Sequence, residues 1–423
     1  MKKRFLTVAL SLVMGFGVAA SLASCGEVRE DKGELTLPDY ENIEVPDYSD
    51  VVIPEDFKFG LICLHDETST YDKNFIDAAK RAVNDMGLTS DQFIMKTGIP
   101  ELAACKEAAE ELVDQGCDLI FADSFGHEPF IKEAATANPD VEFCHATGVT
   151  AATSGLDNFH NAFASIYEGR YLAGVVAGMK LNEMIEAGEF TAEEAKIGYV
   201  GAYTYAEVIS GYTSFYLGAK SVCPTVTMDV QFTGSWFDIS AEKSTAESLI
   251  AGGCKLISQH ADSMGAPSAC EEAGVPNVSY NGSTFEACPE TFLVSSYIDW
   301  TPYFKYIIAQ AAMGEEIVDD WTGTIKTGSV KLTNIGGNAA AEGTVDKVIE
   351  IRDKLVDGSL TVFDTSKFTV NGETLTSYMV DIDGDGTKEK EAIKDGVFQE
   401  SIFRAAPYFD VKIDGIKLLN EKV

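Results

Sequence analysis

Positive charge is what this sequence has least of. Its 423 residues hold 32 Lys and Arg against 67 Asp and Glu, a formal net charge of −35. A field of that sign repels phosphate polymers and anionic lipid surfaces, which argues against nucleic acid as a partner and against highly anionic ligands. Beyond the N-terminus no apolar run approaches the ~20 residues of a membrane span. The cysteines form no C-x-x-C pair and no zinc spacing. There is no G-x-S-x-G, no H-E-x-x-H, and no H-x-E paired with P-C-x-x-C. An enzyme reading, such as a surface nucleoside hydrolase or deaminase, therefore finds no motif to rest on. The five histidines are scattered. His65, His127 and His260 fall in expected strand-end loops, and a zinc site there would need a further ligand.

What is present begins at the N-terminus. Lys2, Lys3 and Arg4 precede an apolar stretch from Phe5 to about Ala20, interrupted by Gly15 and Gly17, then Leu22-Ala23-Ser24-Cys25. This reads as a signal peptide over residues 1–24 whose end resembles a bacterial lipobox, with Cys25 as the lipidated residue. Several acyl chains, each burying methylenes at about 0.8 kcal/mol, anchor a protein stably. Residues 25–56 read as an acidic tether: Gly26 to Asp56 carries eleven acidic and two basic residues, with Pro38, Pro46 and Pro54 along it. Such composition favours extended chain. The eight remaining cysteines sit largely in apolar runs, as in Leu61-Ile62-Cys63-Leu64. Buried free thiols of this kind fit an exported protein of a reducing habitat.

From about Phe57, short apolar runs alternate with helical patterns. Phe59–Leu64 reads as a buried strand, and Phe75, Ala78, Ala79, Ala82 and Val83 then mark one face of a helix. The alternation continues through strands near residues 93–96, 118–122 and 141–145. A second series follows, with strands near residues 196–201, 225–232, 255–259 and 277–280. This βαβ logic predicts an α/β protein of two parallel sheets covered by helices. Residues 57–164 plus 294–345 are expected to form one lobe, and 165–293 the other. Ligands of open parallel sheets bind outside the strands' carboxyl ends. The loops there are aromatic and polar: residues 65–71, 123–127, 202–205, 234–238, 260–265 and 281–283. Small residues at helical spacing (Gly169, Ala173, Gly174, Ala177, Gly178) predict close helix–sheet packing. Residues 346–423 read as a helix and a β-rich extension, with Asn371-Gly372 as a hairpin turn. Within it, Asp381, Asp383 and Asp385 have the spacing that opens a calcium loop, but its twelfth position is Ala392.

These loops carry a resemblance. From about Lys58 to Trp321 the chain resembles the basic membrane protein family of ABC-transporter binding lipoproteins, which includes purine nucleoside receptors. The strongest stretches are His65-Asp-Glu-Thr-Ser-Thr-Tyr71-Asp72, Tyr167-Glu-Gly-Arg-Tyr-Leu-Ala-Gly174, Gly234-Ser-Trp-Phe-Asp238 and Gln259-His-Ala-Asp-Ser263. The resemblance implies a two-lobe, periplasmic-binding-protein type I fold, a monomer without turnover or cofactor, and delivery of a small ligand to a membrane permease. It implies that Tyr71 and Trp236 clamp a base from opposite lobes, with Asp72, Asp123 or Ser124, and Asp262 reading its edge. Phe125, Phe237 and Trp300 are further aromatic candidates. Nucleoside binders of the family grip ribose with an acidic residue and a Lys. Here those places hold Asn281 and Ile298-Asp299-Trp300, so the resemblance favours a free purine base over a nucleoside. A sugar is the alternative ligand, since sugar sites also stack on aromatics. A surface sensor on the same fold is the alternative role.

Overall fold

The computed structural model describes residues 31–422, so the expected signal peptide and Cys25 lie outside the described residues. A first β/α series runs β2 (Phe59–Ile62), α1 (Thr70–Asp85), β3 (Phe93–Lys96), α2 (Ala103–Asp114), β4 (Leu119–Ala122), α3 (Glu128–Ala137), β5 (Glu142–Ala146) and β6 (Phe159–Ala164). A second runs α4 (Ile166–Glu186), β7 (Lys196–Gly201), α5 (Ala206–Val222), β8 (Thr227–Phe232), α6 (Ile239–Ala251), β9 (Leu256–Gln259), α7 (Gly265–Ala273), β10 (Asn277–Tyr280) and β11 (Phe292–Ile298). Then come α8 (Thr301–Met313), β12 (Asp320–Gly323), β13 (Val330–Leu332), β14 (Ile335–Gly336) and α9 (Thr344–Val356).

The first sheet has the order β12-β6-β5-β4-β2-β3, parallel throughout. The second has the order β13-β11-β10-β9-β7-β8 and gains a last strand, β19 (Ile416–Leu418), at its β8 edge. Strands such as Phe59–Ile62 and Leu119–Ala122 are buried at every residue, as expected where helices cover both faces of a parallel sheet. Ser69 caps α1, accepting from the Asp72 amide, and the predicted apolar face of α1 is buried.

The chain crosses between the sheets at residues 164–166, 298–301 and 323–330. The expected boundary at residue 294 therefore moves. β11 is laddered to β10 and β13 in the second sheet, whereas β12 pairs with β6 in the first and α8 packs on α1. Small residues on α4 serve two partners. Gly169 approaches Val330 and Ser296 of the second sheet, as expected for helix–sheet packing. Gly174 instead faces a helix: a Cβ there would stand 2.0 Å from the Phe215 carbonyl oxygen of α5.

The acidic segment before Phe57 is extended, but from Lys32 onward it lies along the body. β1 (Glu34–Leu35) pairs with β14, Arg352 donates to the Pro38 carbonyl, and the Glu44 amide donates to the Lys326 carbonyl. The physical cause is alternation: Leu35, Leu37 and Tyr40 turn toward the core while the charges between them face water.

Apart from β19, the extension after α9 has regular structure only in short ladders, β15 (Met379–Val380) with β16 (Lys390–Glu391) and β17 (Ile393–Lys394) with β18 (Val397–Phe398). Asn371 and Gly372, at φ 54° and 83°, form the predicted tight turn between the bridged Val370 and Glu373. The extension is nonetheless packed like core. Phe363 stacks on Phe409 at 4.3 Å, and Phe398 and Tyr408 are buried beside them.

Candidate ligand-binding cleft

The carboxyl ends of both sheets face one cavity of about 490 Å³, within the ~300–1,000 Å³ usual for small-molecule sites. In the first lobe the loop after β2 is held by Asp72. Its carboxylate accepts from the His65 amide at 2.7 Å and the Ser69 hydroxyl at 2.6 Å, and lies 3.3 Å from His65 Nδ1. Burial works to raise this carboxyl, but the hydrogen bonds from His65 and Ser69 outweigh it and hold the group below the ordinary value. Tyr71 is fixed at both ends: its hydroxyl donates to the Asp123 carbonyl at 2.7 Å, and its ring packs edge-on against Phe75.

In the second lobe Trp236 follows Gly234, whose φ of 81° turns the chain out of β8. The half-buried indole packs edge-on against Tyr203, which stacks on Tyr205. The Trp236 carbonyl accepts from the Asp262 amide at 2.9 Å, so these two residues move as one piece. Burial first, then the Glu242 and Asp72 carboxylates, push the Asp262 carboxyl well above the usual range. Behind it, Arg170 donates to His260 Nδ1 at 3.0 Å, leaving His260 Nε2–H to donate to Glu207 at 2.8 Å. The guanidinium carbon of Arg170 lies 3.3 Å from the centroid of Tyr280, whose ring also lines the cavity.

Three contacts close the lobes on one another. The Thr70 amide and hydroxyl both donate to the Asp262 carbonyl at 3.0 Å, Phe125 meets Tyr205 at 5.4 Å, and His65 meets Phe237 at 5.3 Å.

Of the residues expected from sequence, Tyr71, Asp72, Ser124, Phe125, Trp236 and Asp262 line the cavity. The others stand elsewhere. Trp300 is 1% exposed and stacks on Phe75 at 4.4 Å, so it belongs to the core of the first lobe. Asp123 lies beneath the cavity, where Oδ1 accepts from the Leu64 amide, and burial followed by the neighbouring Asp72 charge pushes its carboxyl well up. Asn281 supports Asp262, donating to its Oδ1 at 3.2 Å from a backbone at φ 65°. Phe237 packs on His65 at the lobe contact. The Ser124 hydroxyl is committed to Glu101 at 2.6 Å. His65 and His260 reach the cavity, but His127 does not: its Nε2 pairs with the Ile99 carbonyl at 2.8 Å.

Sequence reasoning missed Tyr205, Glu207, His260 and Tyr280 as wall residues. The first three lie in or next to strand-end loops already marked as aromatic and polar. Tyr280 ends β10 itself. It also missed a whole wall, for Asp381, Arg404, Pro407 and Asp410 reach the cavity from the C-terminal extension. The Asp381, Asp383 and Asp385 carboxylates do converge, with oxygens within 4.8 Å of one another. Both oxygens of Asp381 accept from the amides of Gly384 and Gly386, which closes the turn from within.

Comparison with known proteins decides the family. The sequence matches the family described as ABC transporter substrate-binding protein PnrA-like over residues 61–365. The chain belongs to that family. A protein of Haloferax volcanii, whose name gives ABC-transporter glucose binding provisionally, is 31% identical over 61% of this chain and 62% of its own. A purine-binding protein of Brucella abortus is 34% identical over 49% of this chain and 55% of its own. The chain thus spans little more than half the length of these relatives. Among solved structures, solute-binding proteins from Aeropyrum pernix (TM-score 0.60, 17% identity) and Conexibacter woesei (TM-score 0.59, 19%) each cover 72% of this chain and 92% and 98% of their own. They share the fold. For this PnrA-like chain the family match ends at residue 365, before the extension's residues that line the cleft. No helix among the described residues is long and apolar enough to cross a membrane.

Proposed function

We propose that this chain is an extracytoplasmic binding protein, anchored through a lipidated Cys25, that captures a purine base or nucleoside between its lobes and delivers it to an ABC permease without turnover. The observation that carries this reading is the cleft itself. Tyr71 from one lobe and Trp236 from the other face one cavity with Asp72 and Asp262 between the loops that bear them. Base–aromatic stacking is worth about 1–3 kcal/mol per base and tolerates different rings. Polar groups in a closed cleft then supply selectivity, because an unpaired one there costs about 1–3 kcal/mol. The purine-binding relative from Brucella abortus supports a purine over other stacking ligands, and the Haloferax relative makes glucose the competitor to test.

Isothermal titration calorimetry of the mature chain, freed of carried-over ligand by partial unfolding, with adenine, guanine, hypoxanthine, adenosine, guanosine and glucose checks the reading. Purines are expected to bind and glucose to be silent. Glucose binding with silent purines would replace the ligand and leave the role standing.

A further inference from the structure

We propose that the C-terminal extension is a third ligand-binding element, and that Arg404 and Asp410 hold an uncharged, hydroxylated arm of the ligand that projects from between Tyr71 and Trp236. The proposal rests on the purine reading of the cleft and deepens it: the ligand is a nucleoside, and its sugar is gripped by residues beyond the family match.

The extension is built into both lobes. On the second it adds β19 to β8 in parallel register, exchanges two hydrogen bonds between Asn420 and the Phe232 backbone, and buries Glu400 against the Ser210 hydroxyl at 2.5 Å. On the first, the Ala405 amide donates to Asp320 Oδ2 at 2.7 Å, and Gly384 lies against Val149. Asp320 is itself fixed by Asn161 at 2.7 Å, so the contact is to a strand held in register. A segment tied to both lobes in this way is part of the closed cleft.

The chemistry of this wall differs from the rest. Elsewhere the cavity offers aromatic faces and the acids Asp72, Glu207 and Asp262. The extension brings a guanidinium. Three of Arg404's five N–H groups donate to the carbonyls of Ala406, Ile382 and Pro407 at 3.0, 2.8 and 3.1 Å, which fixes the plane of the fork and leaves two outside these bonds on a side chain that lines the cavity. Asp410 accepts from the Tyr378 hydroxyl through Oδ1 at 2.7 Å, and its second oxygen is open to a further donor. A guanidinium and a carboxylate that line the same cavity from one segment match a group that accepts and donates at once, which is what hydroxyls do. A phosphate arm is disfavoured, because the carboxyls of Asp381, Asp410 and Asp72 line the same cavity as the guanidinium, and Asp381 is near enough to act on its charge. A cavity of about 490 Å³ also holds more than a flat bicyclic ring. The bare base expected from Asn281 and Trp300 would leave this end of the cleft unfilled.

Calorimetry on the full mature chain with adenine, adenosine and adenosine monophosphate tests the assignment. Adenosine is expected to bind tightest and the monophosphate weakest. Arg404→Gln and Asp410→Asn should each weaken adenosine by about tenfold and leave adenine within about twofold, the usual scale for losing one charge-assisted hydrogen bond. Asp410→Asn keeps an acceptor for Tyr378 and all three Arg404 carbonyl bonds, so it decides the matter even where Arg404→Gln does not fold. Equal losses for adenine and adenosine, no loss in either variant, or monophosphate bound as well as adenosine overturns the proposal while purine binding stands. Silence of every purine on the unaltered chain overturns the purine reading, and this assignment with it.

Discussion

Trp236 and Trp300 carry the same side chain to different ends. Trp236 is half-buried on a loop, edge-on to Tyr203, with one side of the indole on the cavity. Trp300 sits within a cluster of Phe75, Phe121, Phe163, Tyr303 and Phe304. Trp236→Ala should therefore cost purine affinity roughly ten- to a hundredfold, the equivalent of about 1–3 kcal/mol of stacking, while barely moving the melting temperature. Trp300→Ala should cost about 3–5 kcal/mol of stability, as large aromatic truncations in a core do. Calorimetry and thermal unfolding on the two variants separate the roles. Equal effects on binding would place Trp300 at the ligand after all. In the sequence both residues follow a strand, and nothing local distinguishes them. What separates them is Phe75, 225 positions away from Trp300, which packs flat on one ring and not on the other.

Elements built from local patterns were legible, and those built from long-range pairing were not. The helical face from Phe75 to Val83 and the buried runs Phe59–Ile62 and Leu119–Ala122 announce themselves by period and composition. β6 does not, because Phe-His-Asn-Ala-Phe-Ala places two polar residues in a strand that is buried throughout. His160 is satisfied by Glu142 at 2.8 Å, and Asn161 bridges the Gly148 amide and Asp320. β12 pairs with this strand and was equally hidden. β19 is the extreme case, three residues that become a strand only by meeting β8. Its approach depends on Gly415, at φ 94°, where a Cβ would stand 2.0 Å from the Tyr216 hydroxyl of α5. Gly415→Ala combines a left-handed backbone with a clash and should free the extension's end from the second lobe. Hydrogen exchange should show lost protection at Ile416–Leu418 with β9 and β10 unchanged. Retained protection would mean that the ladder, and not the fit against Tyr216, holds the strand.

At the scale of the whole molecule, an acidic chain buries acids. Burial raises Glu168, Glu242 and Glu400 to about 7 each, from an ordinary value of 4.5. Glu168 meets the Ile325 amide beside a lobe crossing, Glu242 supports the Ser263 loop under the cleft, and Glu400 ties the extension to α5. The first of these places is a lobe crossing, the second lies within the second lobe, and the third joins the extension to that lobe. In the folded protein these groups keep their protons up to about pH 7, whereas the unfolded chain releases them near 4.5. Between those values folding takes up protons, so stability is greatest on the acid side and falls as pH rises through the folded values. The carboxyls held below their ordinary values, such as Asp72 and Asp299, lose their stabilising contribution only on further acidification and do not reverse this slope. The buried imidazoles of His127, His145 and His260, held below their ordinary value of 6.5 by burial, oppose this slope below that value, so the melting temperature is expected to drop by several degrees between about pH 6.5 and about pH 8, and Glu400→Gln, neutral at every pH, should flatten the fall. Thermal unfolding across that range checks it. A melting temperature that rises toward neutrality would mean that these acids are ionised in the folded chain and that water reaches the junctions they occupy.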